Sequence, residues 1–148
     1  MNIRKATQDD ISRIAEILVF TKRVNYRRIF KDDNHSFNQV QVLPTAEEYG
    51  RPELLQHFWV YDDGIVKGLV HIEGEELVEL YVDSFFANQG IGTALMNFAK
   101  ENFPITFLWA LEENHNAIRF YERHGFRLSG IRKPTKRGTE YLVHLERI

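Results

Sequence analysis

Two closely spaced glycines, Gly90 and Gly92, separate an apolar stretch from a run with helical periodicity. The stretch Leu77–Val82 is apolar and partly β-branched, as a buried strand should be. From Ile91 the apolar positions share one helical face. A helix N-terminus carries unpaired N–H groups and the positive end of the dipole, and glycine lets a ligand approach the backbone. This strand–turn–helix therefore predicts a site for a phosphate or pyrophosphate.

Two common phosphate-binding patterns do not fit these glycines. A Walker loop needs Lys followed by Ser or Thr after its last glycine, whereas Gly92 is followed by Thr93 and Ala94. A dinucleotide-binding fingerprint needs a third glycine at the position of Leu95. A nucleotide-binding domain is therefore disfavoured, and an ordinary strand–turn–helix connection remains an alternative for the two glycines alone.

A comparison of motifs separates these alternatives. The segment Ala87–Leu95 resembles the acetyl-CoA pyrophosphate loop of the GNAT superfamily of N-acetyltransferases, and residues 114–126 resemble the other half of the same family's site. The second segment matches the family pattern at Asn114, Ala117, Tyr121, Gly125 and Phe126. The resemblance extends from about Phe58 to the C-terminus. The family usually has Gln or Arg where this chain has Ala87, so the glycines and backbone N–H groups must hold the pyrophosphate.

The resemblance implies how the acetyl donor, acetyl-CoA, would be held. The backbone of the strand end, at Leu80, Tyr81 and Val82, would contact the pantetheine arm, and one N–H would polarise the thioester carbonyl. Asn114 would contact the same arm or cap its helix. The pyrophosphate would lie on the loop, which consists of Asn88, Gln89, Gly90, Ile91, Gly92 and Thr93.

Tyr121 is the residue that the resemblance makes the general acid for the departing CoA thiolate. A phenol with a pKa near ~10 stays protonated at neutral pH and can donate a proton as charge develops on sulfur. The alternative is an aromatic side chain that packs at helical spacing with Ala117 and Phe120.

A general base is needed because an ammonium group has no lone pair with which to attack. Glu76 and Glu79, on the strand before the loop, are the candidates. Strict alternation places them on opposite faces of the sheet, and a β-bulge would reverse that. Either residue could instead be a solvated or ion-paired carboxylate without a catalytic role. Deprotonation of the amine through water, without a single essential base, also stays open.

The elements that must position these groups form an α/β fold, with a mixed, mainly antiparallel sheet and helices on both faces, as the resemblance also implies. Asp63-Gly64 predicts a hairpin within Phe58–Ile72 that continues into the strand ending at Val82. Ile105–Leu111 predicts a strand buried on both faces. Since it follows the helix after Gly92, the two strands should form the parallel pair that splays for CoA.

The remaining elements are less strongly indicated. We expect an edge strand at Asn2–Lys5, a helix through Ile11–Leu18, a separate second helix near Val24–Phe30, and a turn at Pro52–Gln56. A short helix at 116–124 and a hairpin made by 126–132 and 140–146 complete the chain. Residues 24–49 and the loop 133–138 are expected to wall the acceptor pocket.

The whole chain has the composition of one soluble globular domain, residues 1–148, with 43% hydrophobic and 27% charged residues. The net charge of −2 does not favour nucleic-acid binding. The absence of cysteine excludes a cysteine nucleophile and disulfides, and the six histidines lack metal-ligand spacing, so we expect no metal. No apolar run is long enough to span a membrane, and we expect a cytoplasmic monomer or homodimer.

The resemblance and the residues together predict an acetyl-CoA-dependent N-acetyltransferase. In this hypothesis a primary amine, on a small molecule or a peptide, attacks the thioester directly in a ternary complex. The rival hypothesis is a non-catalytic acyl-CoA-binding or regulatory protein on the same scaffold, which the departure at Ala87 favours and the presence of Tyr121 disfavours.

Overall fold

Residues 2–148, which a computed structural model describes, form strands and helices in a mixed order. The strands are β1 (Ile3–Lys5), β2 (Phe58–Asp62), β3 (Val66–Glu73), β4 (Glu76–Val82), β5 (Phe107–Leu111), β6 (Phe126–Pro134) and β7 (Tyr141–Arg147). The α-helices are α1 (Ile11–Phe30), α2 (Val42–Tyr49), α3 (Pro52–Leu55), α4 (Ile91–Asn102) and α5 (His115–Arg123). Short 3₁₀ turns at Gln8–Asp10 and Ser84–Phe86 and a π-helical segment at Asn34–Gln39 connect them.

The strands form one sheet in the order β1-β2-β3-β4-β5-β7-β6. Neighbouring strands are antiparallel except β4 and β5, which are parallel, so the predicted mixed sheet with one parallel pair is confirmed. The parallel pairing is short, because only Glu76 and Leu77 have register partners on β5. Beyond Leu77 the two strands separate.

Two apolar cores cover the two faces of the sheet. On one face α1 contributes Ile14, Ile17 and Leu18, which pack against Phe58 and Leu69 of the sheet. On the other face α4 contributes Ile91, Leu95, Met96 and Ala99, which pack with residues of β3, β4 and β5. The prediction of helices on both faces is therefore confirmed.

The first helix is longer than predicted. The expectation of a break after Leu18 and a separate helix near Val24–Phe30 is wrong, since α1 continues without interruption to Phe30. Its second half is held by polar contacts rather than by an apolar stripe: Arg23 donates to the carbonyl oxygens of Ser36 and Val40 at 3.1 and 3.0 Å. Hydrophobic periodicity therefore ends well before the helix does.

Two smaller predictions also need correction. Residues 52–55 form the one-turn helix α3, with Pro52 in its first turn, rather than a plain turn. The strand predicted at Ile105–Leu111 begins at Phe107 and is fully buried on one face only. Phe107 and Trp109 stay half-buried because their rings lie against His144 of β7, with centroids 5.4 and 5.0 Å apart, and not beneath a helix.

A β-bulge interrupts the pairing of β3 with β4. Ile72 pairs with Leu77 and His71 pairs with Glu79, so Val78 is the extra residue. A bulge of this kind shifts the alternation of all residues that follow it. Glu76 and Glu79 therefore project from the same face, contrary to strict alternation.

Gly68 allows α4 to lie close to the sheet. A Cβ at Gly68 would lie 3.0 Å from both Leu95 Cδ1 and the Tyr81 carbonyl oxygen. We predict that Gly68→Ala lowers the free energy of unfolding by about 1 to 3 kcal/mol, as overpacking of a core does. Urea denaturation at an unchanged m-value measures this effect. A change within about 0.5 kcal/mol would show that α4 tolerates the methyl group.

Candidate active site

A cleft opens where β4 and β5 separate. It encloses a cavity of about 370 Å³, between the end of β4, β5, α5 and the second half of α1. Its walls consist of Val78, Glu79, Leu80 and Tyr81 from β4, Trp109, Ala110 and Leu111 from β5, Asn114, Ala117 and Tyr121 at α5, Asn25, Tyr26 and Phe30 from α1, and Leu142 from β7. The end of β4 and the motif residues Asn114, Ala117 and Tyr121 thus meet around one cavity, whereas none of residues 87–95 lines it.

The edge of β4 that faces this cleft has no strand beside it after Leu77. Val82, Tyr81 and Leu80 pair on their other side with Gly68, Leu69 and Val70 of β3. A peptide-like group in the cleft could therefore bond to the backbone of β4 as an added strand would. Leu80 and Tyr81 line the cavity directly, whereas Val82 lies one residue further along the same edge.

Glu79 is the only carboxylate among the cavity-lining residues. Its Oε1 accepts a hydrogen bond from the Tyr49 hydroxyl at 3.0 Å and lies 3.3 Å from His71 Nδ1. Its Oε2 is buried and has no hydrogen-bond partner among residues 2–148. Glu76, the other predicted base, lies where β4 and β5 are still paired and does not line the cavity.

The environment of Glu79 keeps it ionised. Burial raises the pKa of this carboxyl, but the hydrogen bond with His71, the charge of Lys22 and the Tyr49 hydroxyl lower it, and the net pKa lies below the ordinary value. Burial, followed by the charge of the same carboxylate, raises the pKa of Tyr49. An ionised carboxylate with an unpartnered oxygen can accept a proton from a cation in the cavity.

Tyr121 lies on the α5 wall of the cavity. Its ring meets Phe120 and Phe126 edge-on, with centroids 5.5 and 6.4 Å apart, so the predicted packing is also present. Its hydroxyl makes no hydrogen bond to another residue of the described chain, 2–148. Burial, followed by the nearby Tyr26 and Glu79, raises the pKa of Tyr121, which keeps the phenol protonated and able to donate.

The loop before α4 presents unpaired backbone N–H groups. Asn88 and Gly90 have positive φ angles of 62° and 82°, and Gly90 is the N-cap of α4. The N–H groups of residues 88–93 donate to no other residue in the described part of the chain. Left-handed residues next to a helix start form concavities that suit anions. Gln89 is exposed beside them, and Ile91 is buried beneath them.

Two further predicted contacts have structural roles as well. Asn114 is the N-cap of α5, and its Oδ1 accepts the Ala117 N–H at 3.3 Å, while the residue also lines the cavity. Thr93 Oγ1 lies 3.3 Å from His124 Nε2, which ties the start of α4 to the end of α5.

Some site residues have no signal in the sequence. His71, Tyr49 and Tyr26 belong to no motif, although Tyr26 and Tyr49 fall within the segment 24–49 that was predicted as a pocket wall. The Tyr26 hydroxyl lies 3.2 Å from that of Tyr81, which joins α1 to β4 across the cavity. The other predicted wall, residues 133–138, does not line this cavity; Arg137 instead contacts Asp32 and Phe30 from outside.

Comparisons with known proteins identify the family of this chain. Residues 55–128 match the family of acetyltransferase (GNAT) domains. Peptidyl-lysine N-acetyltransferase YiaC of Escherichia coli (strain K12) is 36% identical over 72 residues, which are 47% of this chain and 49% of that protein. Matches to curated relatives span 49–62% of their lengths. The chain belongs to the GNAT family of acetyltransferase domains.

Solved structures show the same fold. The solution structure of apo-form YjaB from Escherichia coli has a TM-score of 0.71 at 17% identity, with 99% of this chain and 96% of that chain covered. A PaiA N-acetyltransferase from Thermoplasma acidophilum, solved in complex with coenzyme A, has a TM-score of 0.55 at 19% identity, with 96% of each chain covered. Within residues 2–148 no helix is both long and apolar enough to cross a membrane.

Gly92 has a different steric role from the one its motif suggests. A Cβ there would lie 3.2 Å from Phe120 Cε1 and 3.7 Å from Val82 Cγ2, inside the protein and not in the anion site. We predict that Gly92→Val lowers the free energy of unfolding by about 1 to 3 kcal/mol and weakens coenzyme A binding, because α4 must move.

The control is a double-mutant cycle with Phe120→Leu, a smaller side chain. The stability cost of Gly92→Val should be smaller in the Phe120→Leu background, as measured by denaturation. Additive costs would mean that the valine does not meet this ring.

Proposed function

We propose that this protein transfers an acetyl group from acetyl-CoA to a primary amine, by direct attack in a ternary complex. The observation that carries the proposal is the pairing of Glu79 and Tyr121 in one cavity, with an ionised carboxylate on β4 and a protonated phenol on α5. A proton acceptor and a proton donor whose environments keep them in opposite protonation states are what the reaction requires.

The acetyl donor fits the chain's free backbone groups. The unpaired edge at Leu80–Val82 would hold the pantetheine arm, and the N–H groups of residues 88–93 would hold the pyrophosphate. Asn114 can assist because its Nδ2 is not used in capping α5. The backbone of the loop does not depend on the side chain at position 87, so Ala87 is compatible with this mode of binding.

Glu79 would act as the general base. The acceptor arrives as an ammonium group, with a pKa near ~10.4 for a lysine side chain. The Glu79 carboxylate takes one N–H proton, the nitrogen lone pair attacks the thioester carbon, and the C–S bond breaks. The aromatic rings of Tyr26 and Trp109, which share the cavity with Glu79, suit a cation on an apolar stem.

Tyr121 would complete the proton balance. Its hydroxyl donates a proton to the CoA sulfur as the C–S bond breaks, and the phenolate then recovers a proton from the amide nitrogen or from water. No acyl-enzyme is needed, and the chain contains no cysteine to form one.

A lysine side chain is one acceptor of this class. The relative YiaC is named as a peptidyl-lysine N-acetyltransferase, and it matches this chain over 72 residues. A peptide lysine has the chemistry that the cavity favours, a primary ammonium on an apolar stem, so peptides with lysine belong in the acceptor panel beside small amines.

The test is release of CoA thiol, measured with a panel of primary amines and lysine peptides. We expect acetyl-CoA, but not ATP or NAD, to raise the melting temperature, and at least one amine to stimulate thiol release with formation of its acetamide. Stabilisation by acetyl-CoA without turnover of any amine would favour the non-catalytic binding protein.

Tyr121→Phe should slow turnover by about 10²- to 10⁴-fold, because the phenol that protonates the thiolate is gone while the ring remains. The affinity for acetyl-CoA should not change, since backbone groups carry it. Tyr141→Phe, a hydroxyl deletion at an exposed tyrosine outside the cavity, is the matched control. Full activity of Tyr121→Phe, with an acceptor for which chemistry is rate-limiting, would remove Tyr121 as the acid.

Glu79→Gln should slow turnover by about 10²- to 10⁴-fold at neutral pH, because the amide cannot take the ammonium proton. The loss should shrink as the pH approaches the pKa of the acceptor amine, which then arrives deprotonated. Glu101→Gln, at an exposed position on α4, controls for the loss of one negative charge. A constant loss at every pH would indicate that Glu79 binds the acceptor without removing its proton.

A further inference from the structure

A buried histidine lies behind the carboxylate of the candidate site. His71, on β3, is 3% exposed, and its ring stacks on Phe58 with centroids 4.4 Å apart. It belongs to neither family motif and does not line the cavity. Burial of an ionisable side chain is costly unless its polar atoms have partners.

Each ring nitrogen of His71 meets a different carboxylate. Nδ1 lies 3.3 Å from Glu79 Oε1, and Nε2 lies 2.7 Å from Glu73 Oε2. The side chains of Glu79, His71 and Glu73 are 14%, 4% and 48% exposed, so the chain of contacts runs from the cavity to the surface. The β-bulge at Val78 creates this line, because it places Glu79 directly opposite His71.

The number of N–H groups on the His71 ring decides how many of the two carboxylates it can donate to. A neutral imidazole has one N–H and one lone pair, so it can donate to only one of the two carboxylates. The other carboxylate would then face a lone pair. An imidazolium donates to both, and this arrangement also supplies a positive charge against two negative ones.

We propose that His71 and Glu73 are positioning residues for Glu79: His71 holds Oε1 of the general base from behind, while Glu73 holds the His71 ring in place through Nε2. The proposal rests on the proposed function, because it assigns the two residues through Glu79. Neither residue touches the acceptor or the acetyl donor.

Other groups face this cluster from each neighbouring element. Tyr49 of α2 donates to the same oxygen of Glu79, and Lys22 of α1 acts on Glu79 through its charge. His57, just before β2, has its ring 6.5 Å from that of His71. Glu76 is the register partner of Glu73 on β4, which adds negative charge on the outer side of His71.

The sign of the expected effect follows from the contacts. Burial raises the pKa of Glu79, and the hydrogen bond with His71 is the largest of the effects that lower it. Removal of His71 takes away the largest effect that counters burial, so the pKa of Glu79 rises. Since Glu79 must be ionised to act as a base, the acidic limb of activity then moves to higher pH.

The test compares pH profiles of kcat/KM for His71→Gln, Glu73→Gln and two matched controls. His57→Gln removes a neighbouring imidazole without a hydrogen bond to either carboxylate, and Glu101→Gln removes an exposed charge on α4. We expect the acidic limb to move up by roughly 1 to 3 pH units in His71→Gln and by less in Glu73→Gln. The controls should match the unmodified protein, and KM for acetyl-CoA should not change.

A second measurement does not depend on activity. The ¹³C shift of the Glu79 carboxyl, assigned with Glu79→Gln, reports its titration in the protein alone. Its midpoint should move upward in His71→Gln and in Glu73→Gln; because Glu73 is at the surface, the second variant should fold even if the first does not. If the titration midpoint of Glu79 moves but the protein has no transferase activity, the proposed function is refuted and the coupling of Glu79 to His71 and Glu73 is supported. If the protein is active but neither the acidic limb of its pH profile nor the Glu79 midpoint moves in the variants, the positioning roles are refuted.

Discussion

The bulge at Val78 is the local feature on which the candidate site depends. It lies where the parallel pairing of β4 with β5 ends, so the cleft opens immediately after it. It also shifts the alternation of β4, which brings Glu79 opposite His71 instead of onto the other face. One extra residue in one strand thus accounts for both the free backbone edge and the direction of the carboxylate.

A buried carboxylate with an unpartnered oxygen is costly unless its surroundings favour the charge. Around Glu79 the surroundings do so through His71, Lys22 and Tyr49, which act from three different elements. Their combined effect exceeds that of burial, so the Glu79 carboxyl group is ionised. On the opposite wall Tyr121 has no charged partner to lower its pKa, and burial keeps its proton in place. The two walls of one cleft therefore hold an ionised carboxylate and a protonated phenol.

Much of the fold could be predicted because it follows local rules. Asp63-Gly64 predicted the β2–β3 hairpin, and the strand–helix–strand order predicted the parallel pair. The second half of α1 could not be predicted, because Arg23 and its carbonyl partners stabilise it and these contacts leave no apolar period. Within the site, the motifs indicated Tyr121 and the loop. The choice between Glu76 and Glu79 depends on the bulge, and neither the bulge nor the contact of His71 with Glu79 has a signal in one sequence.

The most direct test of the central claim is amide hydrogen exchange with and without ligand. Coenzyme A should protect those amides of residues 80–82 that point away from β3 toward the cleft, together with those of 88–93 at the start of α4. Adenosine 3′-phosphate 5′-diphosphate, which lacks the pantetheine arm, should protect only residues 88–93. Protection of the β4 edge by both ligands, or by neither, would contradict the assignment of this cleft to the pantetheine arm.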